Sequence, residues 1–309
     1  MKKTVRLSVI LGVLILVSIL LALTGGKDNR RSFDSNLFTV ADTASVVGIS
    51  IKTLDKSMKI ERGASGWRVN EQYKADPSLV KVMQSILSRV RIKRPVSKLN
   101  MEDVVVDLQN NGRAVSIDFD DNSTLTFFAG GSSSKKLSTY SDGDKAYVVE
   151  IPGYDNYISG IFELSENQWR DRLLFSSTWR SLQSLDIDYA SGQEDVSIYF
   201  DKKFLAVSGV EKLDTAALMS YVEQYQYFQI NDFLDKGTYP RYDSLLLTQP
   251  LAKIDIKDID LSKNGVIEVY PKIPGEQFYL TSNEAREMMV IDAQRMNKLL
   301  SKKDQFISE

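Results

Sequence analysis

Asp118, Asp120 and Asn122 stand at the first, third and fifth positions of what could be a calcium-binding loop. Such a loop also needs glycine at the sixth position for its sharp turn and a bidentate glutamate at the twelfth. Ser123 and Ala129 occupy those places, so the segment reads as an acidic turn. Ser132-Ser133-Ser134-Lys135 spells the Ser-x-x-Lys of serine acylases, in which a lysine activates the hydroxyl. That chemistry requires a helix start around the motif, with Ser-Asp-Asn and Lys-Thr-Gly elsewhere. The chain offers only Ser141-Asp142-Gly143 and Lys236-Gly237-Thr238, and the Ser132 segment reads as a loop. Gly130-Gly131 lacks the lysine and spacing of a phosphate loop. Two of the 41 acidic residues could meet in a glycosidase-like cleft, but no spacing singles out a pair.

Composition narrows the chemistry further. The chain has no histidine and no cysteine. That removes Ser-His and Cys-His nucleophiles, His-based zinc sites, thiolate metal ligands and any disulfide frame. No catalytic, cofactor-binding or metal-binding residue is assigned, and the chain reads as a non-enzyme.

The elements that would position any site begin with Leu7–Leu23, an apolar run broken only by two serines and carrying no charge. Lys2, Lys3 and Arg6 precede it, and Gly25-Gly26 and a polar run follow. At about 1.5 Å per residue, a helix of this length with its flanks can cross a hydrocarbon core roughly 30 Å thick. It predicts an uncleaved N-terminal transmembrane anchor. A cleaved signal peptide is the alternative, weakened by Thr24 at the best cleavage window. Beyond residue 26, basic residues fall from 39 to 36 against 41 acidic ones, a net charge of −5 spread along the chain. That argues against nucleic acid as a partner.

The remainder reads as α+β and states its pattern twice. Strands are expected at Val46–Ile51, Lys56–Arg62 and Trp67–Val69, where apolar and polar residues alternate. Asp76-Pro77 starts a helix with Leu79, Val82, Met83, Ile86 and Val90 on one face. From Asp103 to Glu150 the signal is β, and Tyr154–Leu164 reads as a short helix. In the second half, strands at Leu185–Tyr189, Asp195–Phe200 and Phe204–Val207 precede a helix begun by Asp214-Thr215. Strands at Lys253–Ile256, Gly265–Tyr270, Gln277–Leu280 and Met288–Asp292, then a helix at 293–301, complete it. The expected fold is thus an N-terminal transmembrane helix followed by two tandem related modules. Each module is a mainly antiparallel sheet packed by one main helix, with a period of about 130 residues, too long for a solenoid. The divisions are an anchor and tether (1–30), a first module (31–165), a joint (166–179) and a second module (180–309).

The joint contains Trp169-Arg170-Asp171-Arg172 and, farther on, Trp179. It is either an exposed recognition strip or a packed staple in which Trp169, Leu174 and Trp179 are covered and Arg170 or Arg172 meets a carboxylate. Tyr221, Tyr225, Tyr227 and Phe228 could supply aromatic contact surface or a helix core.

The anchor, the Gly66-Trp67-Arg68-Val69 strand before the Asp76-Pro77 helix, the repeat of that unit and Trp169–Phe175 together resemble a bacterial family of membrane-anchored envelope proteins, domain of unknown function 4340. The resemblance implies an extracytoplasmic repeat domain with no assigned activity, associated with auxiliary parts of envelope ABC transporters of the gliding-motility type. It defines no catalytic residues. The expected function is a binding or scaffold module acting by protein contact. It would be anchored through one N-terminal helix in the bacterial inner membrane, its large domain in the periplasm beside an envelope protein partner. The alternative is a periplasmic carboxylate-dependent hydrolase or glycan-binding protein.

Overall fold

The computed structural model describes Ile15, Val17, Ser18 and residues 33–308. Strands β1 (Val46–Lys52) and β2 (Ser57–Gly63) come first, then a ribbon of β3 (Gly66–Val69) and β4 (Tyr73–Lys74), helix α1 (Pro77–Arg89) and strand β5 (Arg91–Pro95). Helix α2 (Met101–Asn111) leads to β6 (Arg113–Phe119), β7 (Thr124–Ser132), β8 (Leu137–Ser141) and β9 (Ala146–Glu150). Next are α3 (Glu166–Trp169), β10 (Leu173–Phe175), β11 (Leu182–Tyr189), β12 (Val196–Asp201), β13 (Phe204–Val207), α4 (Thr215–Glu223), β14 (Phe228–Gln229), β15 (Asp232–Leu234) and α5 (Pro240–Leu245). The chain finishes with β16 (Ala252–Asp258), β17 (Gly265–Val269), β18 (Phe278–Asn283), β19 (Met288–Asp292) and α6 (Ala293–Leu299).

The expected α+β architecture opening on a transmembrane helix is corrected. Antiparallel sheets dominate, and among the described residues no helix is long and apolar enough to cross a membrane. The longest, α1, has 13 residues and is amphipathic. At about 1.5 Å per residue it spans roughly 20 Å, short of a bilayer core. Most of Leu7–Leu23 lies outside the described residues.

The described residues form two compact units. One runs up to Ala64 and resumes at Ser78–Glu163; the other joins Ser65–Pro77 to the residues from Leu164 on. The 166–179 stretch therefore belongs within the second unit, and so does the β3–β4 ribbon. Backbone bonds show why: the Asp76 amide donates to the Trp169 carbonyl at 2.8 Å, and the Asp171 amide donates to the Lys74 carbonyl at 2.8 Å.

In the first unit the strands run β2-β1-β6-β7-β8-β9-β5, all antiparallel. Cross-strand register aligns Ile51, Val115 and Phe127 on one face, and Ala129, Tyr140 and Tyr147 beside them. Phe38, ahead of the first expected strand, is buried on that face against Phe127, Tyr140 and Tyr147. Helix α1 buries Val80, Met83, Ile86 and Leu87, whereas Val82, expected on the apolar face, is 47% exposed. Helix α2 covers the opposite face: Val105 and Leu108 pack on Ala146 and Phe128, which alternate with Tyr147 and Phe127. The module is thus sealed by helices on both faces, not by one.

In the second unit the strands run β13-β12-β11-β16-β17-β18-β19-β15. From β12 to β15 this order reproduces the first unit's from β2 to β5, strand for strand. Asp214 caps α4 by accepting from the Ala216 and Ala217 amides. Leu218 and Val222 of α4 and Met296 and Leu299 of α6 share a core with Leu185, Ile254 and Ile267 of the sheet. The shorter α5 lies on the other face, with Tyr242 and Leu245 against Leu280 and Met288. In each unit, then, the helix between the edge strand and the second meander closes the face that the first helix leaves open.

Candidate functional site

Each sheet carries a cleft at the same place, against its last hairpin and the edge strand paired to that hairpin. In the first unit the cleft holds about 510 Å³ and takes in Leu137, which opens β8, Val148, third in β9, and Arg94 of β5. Arg94 lies opposite Val148 in the register. In the second unit the cleft holds about 660 Å³ and takes in Phe278, which opens β18, Val290, third in β19, and Asp232 of β15. Asp232 lies opposite Val290.

The rims differ in charge. The first cleft has Lys93, Arg94 and Lys136 against Glu150 and Asp155. Lys93 Nζ meets Glu150 Oε2 at 2.7 Å, and Lys136 Nζ meets Asp155 Oδ2 at 3.5 Å. Tyr154, 53% exposed, stands at its mouth. The lining of the second cleft has Asp232 and Glu276 with Arg241, and its wall is aromatic. Tyr239 and Tyr242 pack edge to face with centroids 6.4 Å apart. Arg241 Nη1 lies 3.4 Å from Glu276 Oε1, with 79% of the arginine side chain exposed. Burial raises the Tyr242 phenol above its ordinary pKa, and the Glu276 charge raises it further, so its ring stays neutral.

The edge strand lining the second cleft is held from behind by Arg170. Local sequence places that arginine: Ser165 and Gln168 form a reciprocal capping box that starts α3 and delivers Trp169 and Arg170 at its end. The guanidinium is stacked 3.7 Å from the Tyr73 ring centroid and 3.5 Å from that of Phe233. Its Nη2 donates to Glu287 Oε1 at 2.8 Å, and Nη1 donates to Asn167 Oδ1 at 3.3 Å. Because strand side chains alternate, Phe233 faces the arginine while Asp232 and Leu234 face the cleft. Asp232 also lies 3.6 Å from Arg172.

The strip around Trp169 is therefore packed, not a recognition surface: Trp169 is fully buried, Arg170 is 7% exposed, and Leu174 and Trp179 lie against the core. Of the four aromatics offered as contact surface, Tyr221, Tyr225 and Phe228 are core, and only Tyr227 is exposed. Tyr221 donates to the Leu299 carbonyl at 2.6 Å, and burial raises the phenol of Tyr221 and of Tyr225 far above their ordinary range.

The motif candidates do not converge. Asp118 ends in the β6–β7 hairpin, where Asp121 instead accepts from the Ser123 amide. Among the described residues no group of three acidic side chains is arranged to hold a metal ion. Ser132 closes β7 in a hairpin and lies on no helix, Ser141 is buried at the end of β8, and Lys236–Thr238 form a loop of the other unit. The most buried carboxylate, Asp258, is structural: burial pushes its pKa up, but the Asp260 amide and the Ser181 hydroxyl, donating at 2.9 and 2.8 Å, outweigh this and hold it below the ordinary value.

Sequence reasoning found neither cleft. Their lining comes from several short strands, from loops and, in the second unit, from the start of α5, with no spacing signature. The one local signal was Tyr239-Pro240, a proline at a helix start beside two tyrosines. No family model, no curated protein and no solved structure matches this chain.

Proposed function

We propose that the chain is a binding module that acts by holding another protein and carries out no covalent chemistry. What supports contact over catalysis is the repetition of a cleft at one register position in two sheets, with rims of different charge. A duplicated receptor surface that has diverged in charge suits recognition of distinct features of a partner. The absence of histidine and cysteine from the sequence is consistent with this, since the commonest neutral-pH proton carrier and the strongest nucleophile are missing.

The resemblance to envelope proteins supports placing the partner in the bacterial cell envelope, outside the cytoplasm, among auxiliary subunits of an ABC-type transporter or of gliding or secretion machinery. The test is site-specific photocrosslinking in the native cell. Benzoylphenylalanine is placed at Tyr239, at Tyr154 and, as a control that lines neither cleft, at Leu54, which is 80% exposed. Adducts to a discrete protein from the cleft positions and none from Leu54 are expected. Equal adducts from all three positions, or none from the clefts, would count against contact through these surfaces.

A further inference from the structure

We infer that the cleft of the second unit receives a lysine or arginine side chain from an extended segment of a partner protein, seated over Tyr239 and Tyr242 and against Glu276. This deepens the contact function proposed above and rests on it.

Three features converge on a cation. The first is the aromatic wall. A ring face is a favourable seat for an ammonium or guanidinium, more so as water is excluded. Tyr239 is 47% exposed and, among the described residues, its ring meets only Tyr242; Tyr242 stays protonated beside Glu276. The same protein already uses this device internally, holding Arg170 between Tyr73 and Phe233 with Glu287 as counter-ion. The second is the carboxylate. Arg241 sits 3.4 Å from Glu276, longer than the roughly 2.7–2.9 Å of a well-formed charge-assisted bond, on a side chain that is almost wholly in solvent. Exposed pairs of this kind are weak, so an incoming cation displaces Arg241 readily.

The third feature is the contrast with the first unit. The position that is Asp232 in one cleft is Arg94 in the other, and among the described residues Arg94 has no carboxylate partner, only a 3.5 Å contact to the Pro95 carbonyl. A cationic segment is thereby directed to the second unit and repelled from the first, which is specificity by an opposing charge. The occupant is a chain segment and not a free amine. The cleft's 660 Å³ lies in the range of sites that take drug-sized molecules, well beyond one side chain, and its apolar floor of Leu234, Phe278 and Val290 accepts the residues flanking the cation.

Selection of random-sequence peptides on the intact 309-residue chain tests the idea. Enriched peptides are expected to share a lysine or arginine. When synthesised, they should lose about tenfold in affinity for Tyr239→Ala and for Glu276→Gln. Arg241→Ala, which frees Glu276, should bind them severalfold more tightly. Unfolding midpoints of the three variants, read by tryptophan fluorescence, should match the parent and so separate binding from folding. Peptides without a basic residue, weaker binding by Arg241→Ala, or no enrichment would each overturn the inference. So would thermal stabilisation by maltotriose or chitotriose without peptide binding. Cleft-specific crosslinks to a protein that contacts the site through neutral residues would overturn the cation while leaving the contact function standing.

Discussion

Removing the Arg170 guanidinium should destabilise the second unit by about 3–5 kcal/mol, the usual cost of stripping one partner from a buried, hydrogen-bonded charge pair. The magnitude can be built from the contacts. Two ring faces at 3.7 and 3.5 Å contribute roughly 1 kcal/mol each in a partly desolvated setting. The 2.8 Å bond to Glu287 adds about 1.5–3 kcal/mol as a hydrogen bond to a charged group. Arg170→Ala loses all of this and leaves Glu287, 26% exposed, only partly rehydrated. Arg170→Lys keeps the charge but not the planar fork between two rings, and should cost about 2 kcal/mol. In a double-mutant cycle with Glu287→Gln, the coupling should exceed about 1 kcal/mol. Urea unfolding followed by tryptophan fluorescence is the assay. All three tryptophans, Trp67, Trp169 and Trp179, belong to the second unit, so the signal reports that unit alone. If Arg170→Ala shifted stability by less than about 1 kcal/mol, or if Arg170→Lys matched the parent, the stacked guanidinium would not be what holds β15, and the reasoning would fail.

Three further outcomes are expected. Phe38→Ala should destabilise the first unit by about 3–5 kcal/mol in circular dichroism melts, because the ring is 2% exposed and lies 5.5–5.9 Å from Phe127, Tyr140 and Tyr147; a loss below about 1 kcal/mol would show that Phe38 does not hold the segment before β1 to the sheet. Gly131→Ala should also unfold that unit readily, since φ is +134° there and a Cβ would strike the Leu137 carbonyl oxygen; near-parent stability would mean the β7–β8 hairpin relaxes freely. Asp258 is held below its ordinary carboxyl pKa, so its contribution is complete above about pH 5 and is lost as pH falls through the native value; Asp258→Asn should cost about 1–3 kcal/mol at neutral pH and flatten the acid limb of the stability profile, whereas an unchanged acid limb would exclude Asp258 as its source.

How much was legible depends on whether local pattern and tertiary demand agreed. They agreed at β13 and β19, which fall where alternation put them, at Phe204–Val207 and Met288–Asp292. They agreed also at the start of α4, where Asp214 caps the helix. They disagreed at Met101–Asn111. Val104-Val105-Val106 is a β-branched run that favours a strand, yet the segment is helical. The helical signals were present: Glu102 and Asp103 in the first turn, and Met101, Val104, Val105 and Leu108 at helical spacing. The bare patch of sheet around Ala146 and Phe128 decided between the two, because only a helix laid across it buries Val105 and Leu108.

By itself the sequence determined the alternation that makes two meanders, the Asp214 cap that starts α4 and the reactions closed to a chain without histidine or cysteine. These are properties of neighbours, written within a few residues of one another. The tertiary structure alone decided which strands became edges, which helix covered which face and where charge met aromatic ring. Arg170 and Glu287 are 117 positions apart, and Asp232 faces the same point of its sheet as Arg94 does of the other. Such meetings arise when backbone pairing closes long loops, and no local spacing encodes them.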